Sequence, residues 1–160
     1  KHYQTGEVMP DALIAKIEEA SNFNSGFETT EIVAAALLDM KWHVITEHQD
    51  FDVNAFESDA MNQIGLISEI IPRYKSTYFA HIFDGGYSAG YYSYLWSEVL
   101  DADAFEAFVE KGVFDRTTGQ SFRDNVLSKG GSEDPMVLYK LFRGAEPNPI
   151  YLLKNRGFVK

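Results

Sequence analysis

Cysteine is absent from all 160 residues, which excludes a disulfide framework, a thiolate metal site and a cysteine nucleophile. Basic residues are scarce: 14 Lys and Arg stand against 24 Asp and Glu, a formal net charge of -10. Affinity for nucleic acid rests on clustered cations that neutralise phosphates, so neither nucleic acid nor an anionic membrane surface is an expected partner. No apolar run approaches the ~20 residues that cross a bilayer, so no membrane-spanning segment is expected, and the opening KHYQTGEVMP carries no apolar signal core. The chain does not open on Met, which points to a segment of a longer protein. Also missing is H-E-x-x-H, the helical spacing that lets two histidines share a zinc ion beside a general-base glutamate. Of the four histidines, His43 and His48 come nearest to such a pair. Residues five apart lie about 140° from each other around a helix, so these two are read as solvated groups at a helix end rather than as ligands. No phosphate-binding glycine loop and no serine nucleophile elbow is present.

What is there is apolar and aromatic: 45 % of the residues are hydrophobic and 14 % of the whole chain is Phe, Trp or Tyr, enough for one folded unit spanning 1–160. The periodicity is helical throughout, so the expected fold class is all-α. Pro10 opens a first helix with Leu13, Ile14 and Ile17 on one face, and SNFNSG breaks it. Thr29 or Thr30 caps a second helix carrying Val33, Leu37, Met40 and Val44. Asp52 to Ile71 has helical spacing up to Pro72, whereas the YFAHIF core of the next stretch has strand-like composition and is expected to be loop or short extended chain. A helix is expected from about Ser88 to Leu100. Asp103 with Glu106, and Thr117 with Gln120, have capping-box spacing and suggest two more starts. Ser132 opens a helix that stops at Gly144, and a last short helix covers Ile150 to Asn155.

The densest concentration of possible chemistry is HIFDGGYSAGYYSYLW, from His81 to Trp96. Tyr87, Tyr91 and Tyr94 are spaced i, i+4, i+7 and would share a helix face. A phenol stays protonated at neutral pH and can donate a hydrogen bond to a developing oxyanion. Gly85, Gly86 and Gly90 permit close approach of a ligand or another backbone. Periodicity alone leaves both readings open, because an aromatic stripe at helical spacing most often packs in a core.

HIFDGGYSAGYYSYLW followed by SKGGSEDPMVLYKLFRG resembles the C-terminal part of the thimet-oligopeptidase family of zinc metallopeptidases. HYQTGEVMPDALIAKI, AALLDMKWH and PRYKSTYFAHIF favour its peptidyl-dipeptidase branch, also called dipeptidyl carboxypeptidase. The resemblance covers essentially the whole chain. It implies the helical C-terminal part of the catalytic lobe of a zincin-like enzyme that releases C-terminal dipeptides from oligopeptides. Zinc would be bound by the full-length parent through an H-E-x-x-H helix and a later Glu, both upstream of Lys1, with no metal held by this segment and no peptidase activity from it alone. It further implies that Tyr94, Tyr87 and His81 are catalytic groups facing the metal, that Tyr91 binds substrate, and that Gly85 and Gly86 belong to a substrate-binding loop that moves. The expected partners are an oligopeptide substrate and the remainder of the same protein. Arg73 and Lys75 are candidates for meeting a substrate carboxylate. The family favours a cytoplasmic compartment and leaves a periplasmic or secreted one open. Two alternatives remain: an endo-acting oligopeptidase of the same family, and a stand-alone helical module that binds peptides or proteins.

Overall fold

A computed structural model of the chain describes residues 1–50 and 52–160, and every regular element among them is helical. In chain order these are α1 (Asp11–Ala20), α2 (Ser25–His43), α3 (Val53–Gln63), a 3-10 turn (Ser76–Tyr78), α4 (Ala80–Phe83), α5 (Ser93–Lys111), α6 (Arg116–Phe122) continuing into a π-helical turn (Arg123–Leu127), α7 (Pro135–Arg143) and α8 (Ile150–Asn155). The all-α expectation holds, and among the described residues no helix is long and apolar enough to cross a membrane.

The core lies where α2, α3 and the short α4 region meet. Ala34, Ala35 and Leu38 from α2, Ala60 and Met61 from α3, and Phe79, Ile82 and Tyr91 form one buried cluster. Small alanines on α2 let its neighbours approach closely, and the large rings of Phe79 and Tyr91 fill the space so left. This explains why the YFAHIF stretch is not extended, contrary to its composition. Phe79 and Ile82 are three residues apart, and a helical turn sends both into the cluster, where 1 % and 0 % of their surface stays exposed. Tertiary burial outweighs the β-preference of the aromatics.

Other boundaries differ from the sequence expectation for identifiable reasons. α2 begins at Ser25, four residues before the expected threonine cap, because Asn24 adopts the left-handed conformation (φ 59°) and turns the chain directly into the helix. α3 stops at Gln63 instead of Ile71, where Gly65 takes φ 71°. Asp115 and Asp134 cap α6 and α7 in place of Thr117 and Ser132: their carboxylates accept the Thr118 N–H at 2.7 Å and the Met136 N–H at 2.7 Å. Pro135 at the first helical position reinforces the second start.

The expected helix start at Asp103 does not exist, because α5 runs unbroken from Ser93 to Lys111. Asp103 is instead buried and joins α5 to α7: Tyr139 Oη donates to Oδ2 and Arg143 Nε donates to Oδ1 at 3.3 Å. Arg143 also bridges to Glu110 on α5 at 3.1 Å. Burial, and then the adjacent carboxylate, hold the Tyr139 phenol well above the usual tyrosine range. Tyr139→Phe keeps the ring but leaves Asp103 one donor short, so unfolding in urea is expected to show a loss of about 1.5–3 kcal/mol, the range for a hydrogen bond to a charged group. An unchanged midpoint would remove this link from the account. At the C-terminal end Arg156 pairs with Glu98 on α5 and donates to Thr29 Oγ1 on α2 at 2.9 Å, which ties α8 to the helices on either side of the core.

Much apolar surface is left over. The chain exposes 11339 Å², about 3,000 Å² more than the ~8,100 Å² expected of a compact monomer of this mass. Leu13, Ile14 and Ile17 on α1 and Phe114 after α5 lie open to solvent. The apolar stripe of α1 is present as expected, but nothing within the described residues buries it.

Candidate active site

His81 and the three tyrosines come together, though not on one helix face. Helix α5 begins only at Ser93, so Tyr87 and Tyr91 precede it in a tight loop. After α4 the chain turns back on itself: Tyr87 N–H donates to His81 O at 3.2 Å and Gly90 N–H to Tyr87 O at 2.8 Å. Ser88 Oγ donates to Ile82 O at 2.6 Å and pins the loop against α4. The result is a ring cluster in which Tyr87 stacks on Tyr94 at 5.1 Å and Tyr91 lies 5.1 Å from Tyr94. His81 sits 5.7 Å from Tyr87 and 6.4 Å from Tyr91.

Within the cluster the side chains differ in access. His81 is exposed, Tyr87 and Tyr94 are half-buried, and Tyr91 is 3 % exposed, edge-on to Phe79 at 5.0 Å. Tyr91 was expected to bind substrate, yet its ring belongs to the core. Burial raises its phenol pKa, an effect that the nearby Arg73 guanidinium partly opposes. The Tyr94 phenol is also raised, first by its hydrogen bond to Tyr87 and then by desolvation, so it remains a donor through the ordinary tyrosine range. Tyrosinate absorbance at 295 nm is expected to show the component lost in Tyr94→Phe titrating above pH 10. A component lost below pH 10 would contradict this upward shift.

The two glycines have separate duties. A Cβ on Gly85 would lie 2.8 Å from His81 Cα and 3.0 Å from His81 O, so only glycine fits where the loop crosses α4. Gly86 has open space around it but takes φ 80°, a conformation that other L-residues avoid.

Several residues that support the cluster carry less obvious sequence signals. Tyr74 stacks on His81 at 6.1 Å with the rings 10° apart, and Arg73 lies 5.7 Å from the Tyr74 centroid. Their nearness to the histidine comes from a turn held by buried Glu57 of α3, which accepts the Ser76 N–H at 2.6 Å. Trp42 Nε1 donates to Ser76 Oγ at 2.9 Å from the other side. Lys75, a candidate for a substrate carboxylate, reaches back to Glu57 at 3.4 Å instead, whereas Arg73 stays exposed beside the rings. Asp39 of α2 is fully buried and accepts the Ala89 and Tyr91 N–H groups, both at 2.9 Å. An acid inside the apolar run AALLDM was its one visible mark in the sequence.

A model of peptidase family M3 matches residues 1–158. The chain belongs to that family. It is 45 % identical over 163 residues to the dipeptidyl carboxypeptidase of Escherichia coli and 43 % identical over 161 residues to oligopeptidase A of the same organism. It is 34 % identical over 159 residues to saccharolysin of Saccharomyces cerevisiae. Each alignment takes in 98 % of this chain but only 23 %, 23 % and 22 % of the respective relative. The chain thus spans about a quarter of the length of these relatives.

Membership of a metallopeptidase family implies a metal in the whole protein. Among the described residues no group of three His, Asp or Glu side chains converges to hold a metal ion. His43, in particular, is not a solvated group: its Nδ1 lies 2.8 Å from both the Asp39 carbonyl oxygen and Asp39 Oδ1, so that nitrogen carries the proton and donates. The described residues thus offer no three-ligand set of their own, and the chemistry assigned below is confined to hydrogen bonding by side chains of this chain.

Proposed function

We propose that this segment forms the substrate-facing wall of an M3 metallopeptidase that removes dipeptides from the C-terminus of oligopeptides. The observation that carries the reading is the convergence of an exposed histidine from α4 and two half-buried phenols, one from the glycine-bounded loop and one from the start of α5, in a chain whose family consists of peptidases.

Peptide hydrolysis converts a planar carbonyl into a tetrahedral centre whose oxygen gains charge. A neutral phenol aimed at that oxygen stabilises the charged state more than the uncharged carbonyl, and so lowers the barrier. Tyr94 is the better placed donor. Its phenol stacks on Tyr87 and is held protonated there, and donating to an oxyanion would form a charge-assisted hydrogen bond. Tyr87 then accompanies it as a second donor, and His81, exposed at the mouth of the cluster, hydrogen-bonds the substrate backbone. Tyr91 serves from behind, as the ring against which Tyr94 and His81 rest. The remainder of the protein would supply the metal and would cover the apolar faces left open on α1 and near Phe114. That excess surface favours a part of a larger catalytic body over a stand-alone binding module.

An endo-acting oligopeptidase is the second reading, supported by the near-equal similarity to oligopeptidase A. Mass spectrometry of the products that the full-length protein makes from unblocked peptides of graded length separates the two. Stepwise loss of C-terminal dipeptides, abolished by amidating the terminus, is expected. Internal cuts indifferent to that carboxylate would establish the second reading instead.

A further inference from the structure

Asp39 is the most deeply buried acid in the chain, with no exposed surface, and it lies among Ala35, Ala36 and Leu38 in the core segment of α2. An ionised carboxylate in such surroundings persists only where donors surround it. Its donors here are few and specific. His43 Nδ1 approaches from the same helix at 2.8 Å, and the N–H groups of Ala89 and Tyr91 donate from the other side. These belong to a loop some 50 residues further along the chain. Ala89 takes φ 53°, unusual for a residue with a side chain. Oδ1 receives the Ala89 N–H and Oδ2 the Tyr91 N–H, so one carboxylate spans the loop's sharpest bend with both oxygens.

We infer that Asp39, oriented by His43, is the positioning residue that holds the tyrosine loop so that Tyr94 and Tyr87 face the substrate. The inference rests on the function proposed above for Tyr94. Left-handed Ala89 is strained by itself, and the charge-assisted bonds to Asp39 offset that strain. Without them the bend relaxes, Tyr91 loses its backbone tether, and the ring of Tyr94 loses the surface it leans on. Asp39 never touches the peptide and acts only through the loop. The side chain is also well chosen for this: an amide in its place would present one acceptor and one donor to two N–H groups, so one of the two bonds is lost and replaced by a donor facing a donor.

The test is Asp39→Asn in the full-length, metal-loaded protein, read in two ways. Amide exchange followed by mass spectrometry is expected to show faster exchange across residues 84–92 by about tenfold or more, with residues 135–143 unchanged. Turnover is expected to fall by roughly 10–100-fold in the presence of Tyr94 and by a smaller factor, about tenfold or less, in a Tyr94→Phe background, because the part carried through Tyr94 is then already lost and only that of Tyr87 remains. Unchanged exchange across 84–92, or an equal loss of turnover in both backgrounds, would overturn the proposal. Tyr94→Phe alone separates the two layers. If that variant retains full turnover, the role given to Tyr94 fails, and the exchange data still decide whether Asp39 holds the loop. Should Asp39→Asn not fold, His43→Ala removes the orienting donor from the end of α2 and is expected to loosen the same segment to a smaller degree. A folded His43→Ala protein with unchanged exchange there would count against the inference.

Discussion

Tyr94→Phe in the full-length, metal-loaded protein is expected to lower kcat by roughly 10²–10³ with KM little changed, the usual cost of removing one oxyanion donor. The substitution keeps the ring, and with it the 5.1 Å contacts to Tyr87 and Tyr91, so a packing defect cannot produce the same loss. The asymmetry between kcat and KM follows from the charge that develops: a neutral phenol gains little from the uncharged carbonyl, and the full gain appears only when the substrate oxygen becomes charged. Steady-state kinetics on an unblocked peptide measure both parameters. A kcat within a few-fold of wild type would make Tyr94 a packing residue.

Gly85→Ala is expected to reduce kcat/KM by about 10²-fold, because it misplaces the whole cluster and a displacement near 1 Å costs on that order. The atoms that a Cβ would meet, His81 Cα at 2.8 Å and His81 O at 3.0 Å, are backbone and cannot rotate away. Either α4 or the loop has to move, and both carry site residues. Gly86→Asn is the informative companion. Nothing lies within 4 Å of a Cβ at that position and the demand is only for φ 80°, which Asn tolerates better than other side chains. It is expected to stay within a few-fold of wild type. Parallel rate measurements on the two variants, with circular dichroism to confirm folding, check the contrast; equal effects would mean that the loop does not cross α4 as described.

The residues of the candidate site stood out in the sequence, but the geometry that unites them did not. Helical spacing brought Tyr87, Tyr91 and Tyr94 to attention as a face, yet two of the three lie outside α5 and meet the third through a bend. That bend depends on Asp39, a contact across 50 residues. Local periodicity carries no trace of such a contact, and only the oddity of an acid between Leu38 and Met40 hinted at it. Tyr74 was hidden for a similar reason: its stacking on His81 is produced by Glu57 gripping the turn before it. Short-range rules did better where the cause is local, as in the terminal helix Ile150–Asn155 after its proline connector. They failed at Asp103, whose capping-box spacing is real but whose carboxylate is committed to Tyr139 and Arg143 across a helix interface. The difference is physical. Caps and turns are decided within a few residues, whereas a buried carboxylate is decided by whatever donors the rest of the fold delivers.

The central claim is that this loop recognises the tetrahedral state of the peptide, and affinity for a tetrahedral analogue tests it most directly. Inhibition of the full-length protein by a phosphinic peptide and by a substrate-like peptide of the same side chains should be measured for wild type and Tyr94→Phe. The account predicts that the variant loses roughly 10²-fold or more in affinity for the phosphinic peptide while binding the substrate-like peptide about equally well. Equal losses for both ligands, or none for either, would contradict it.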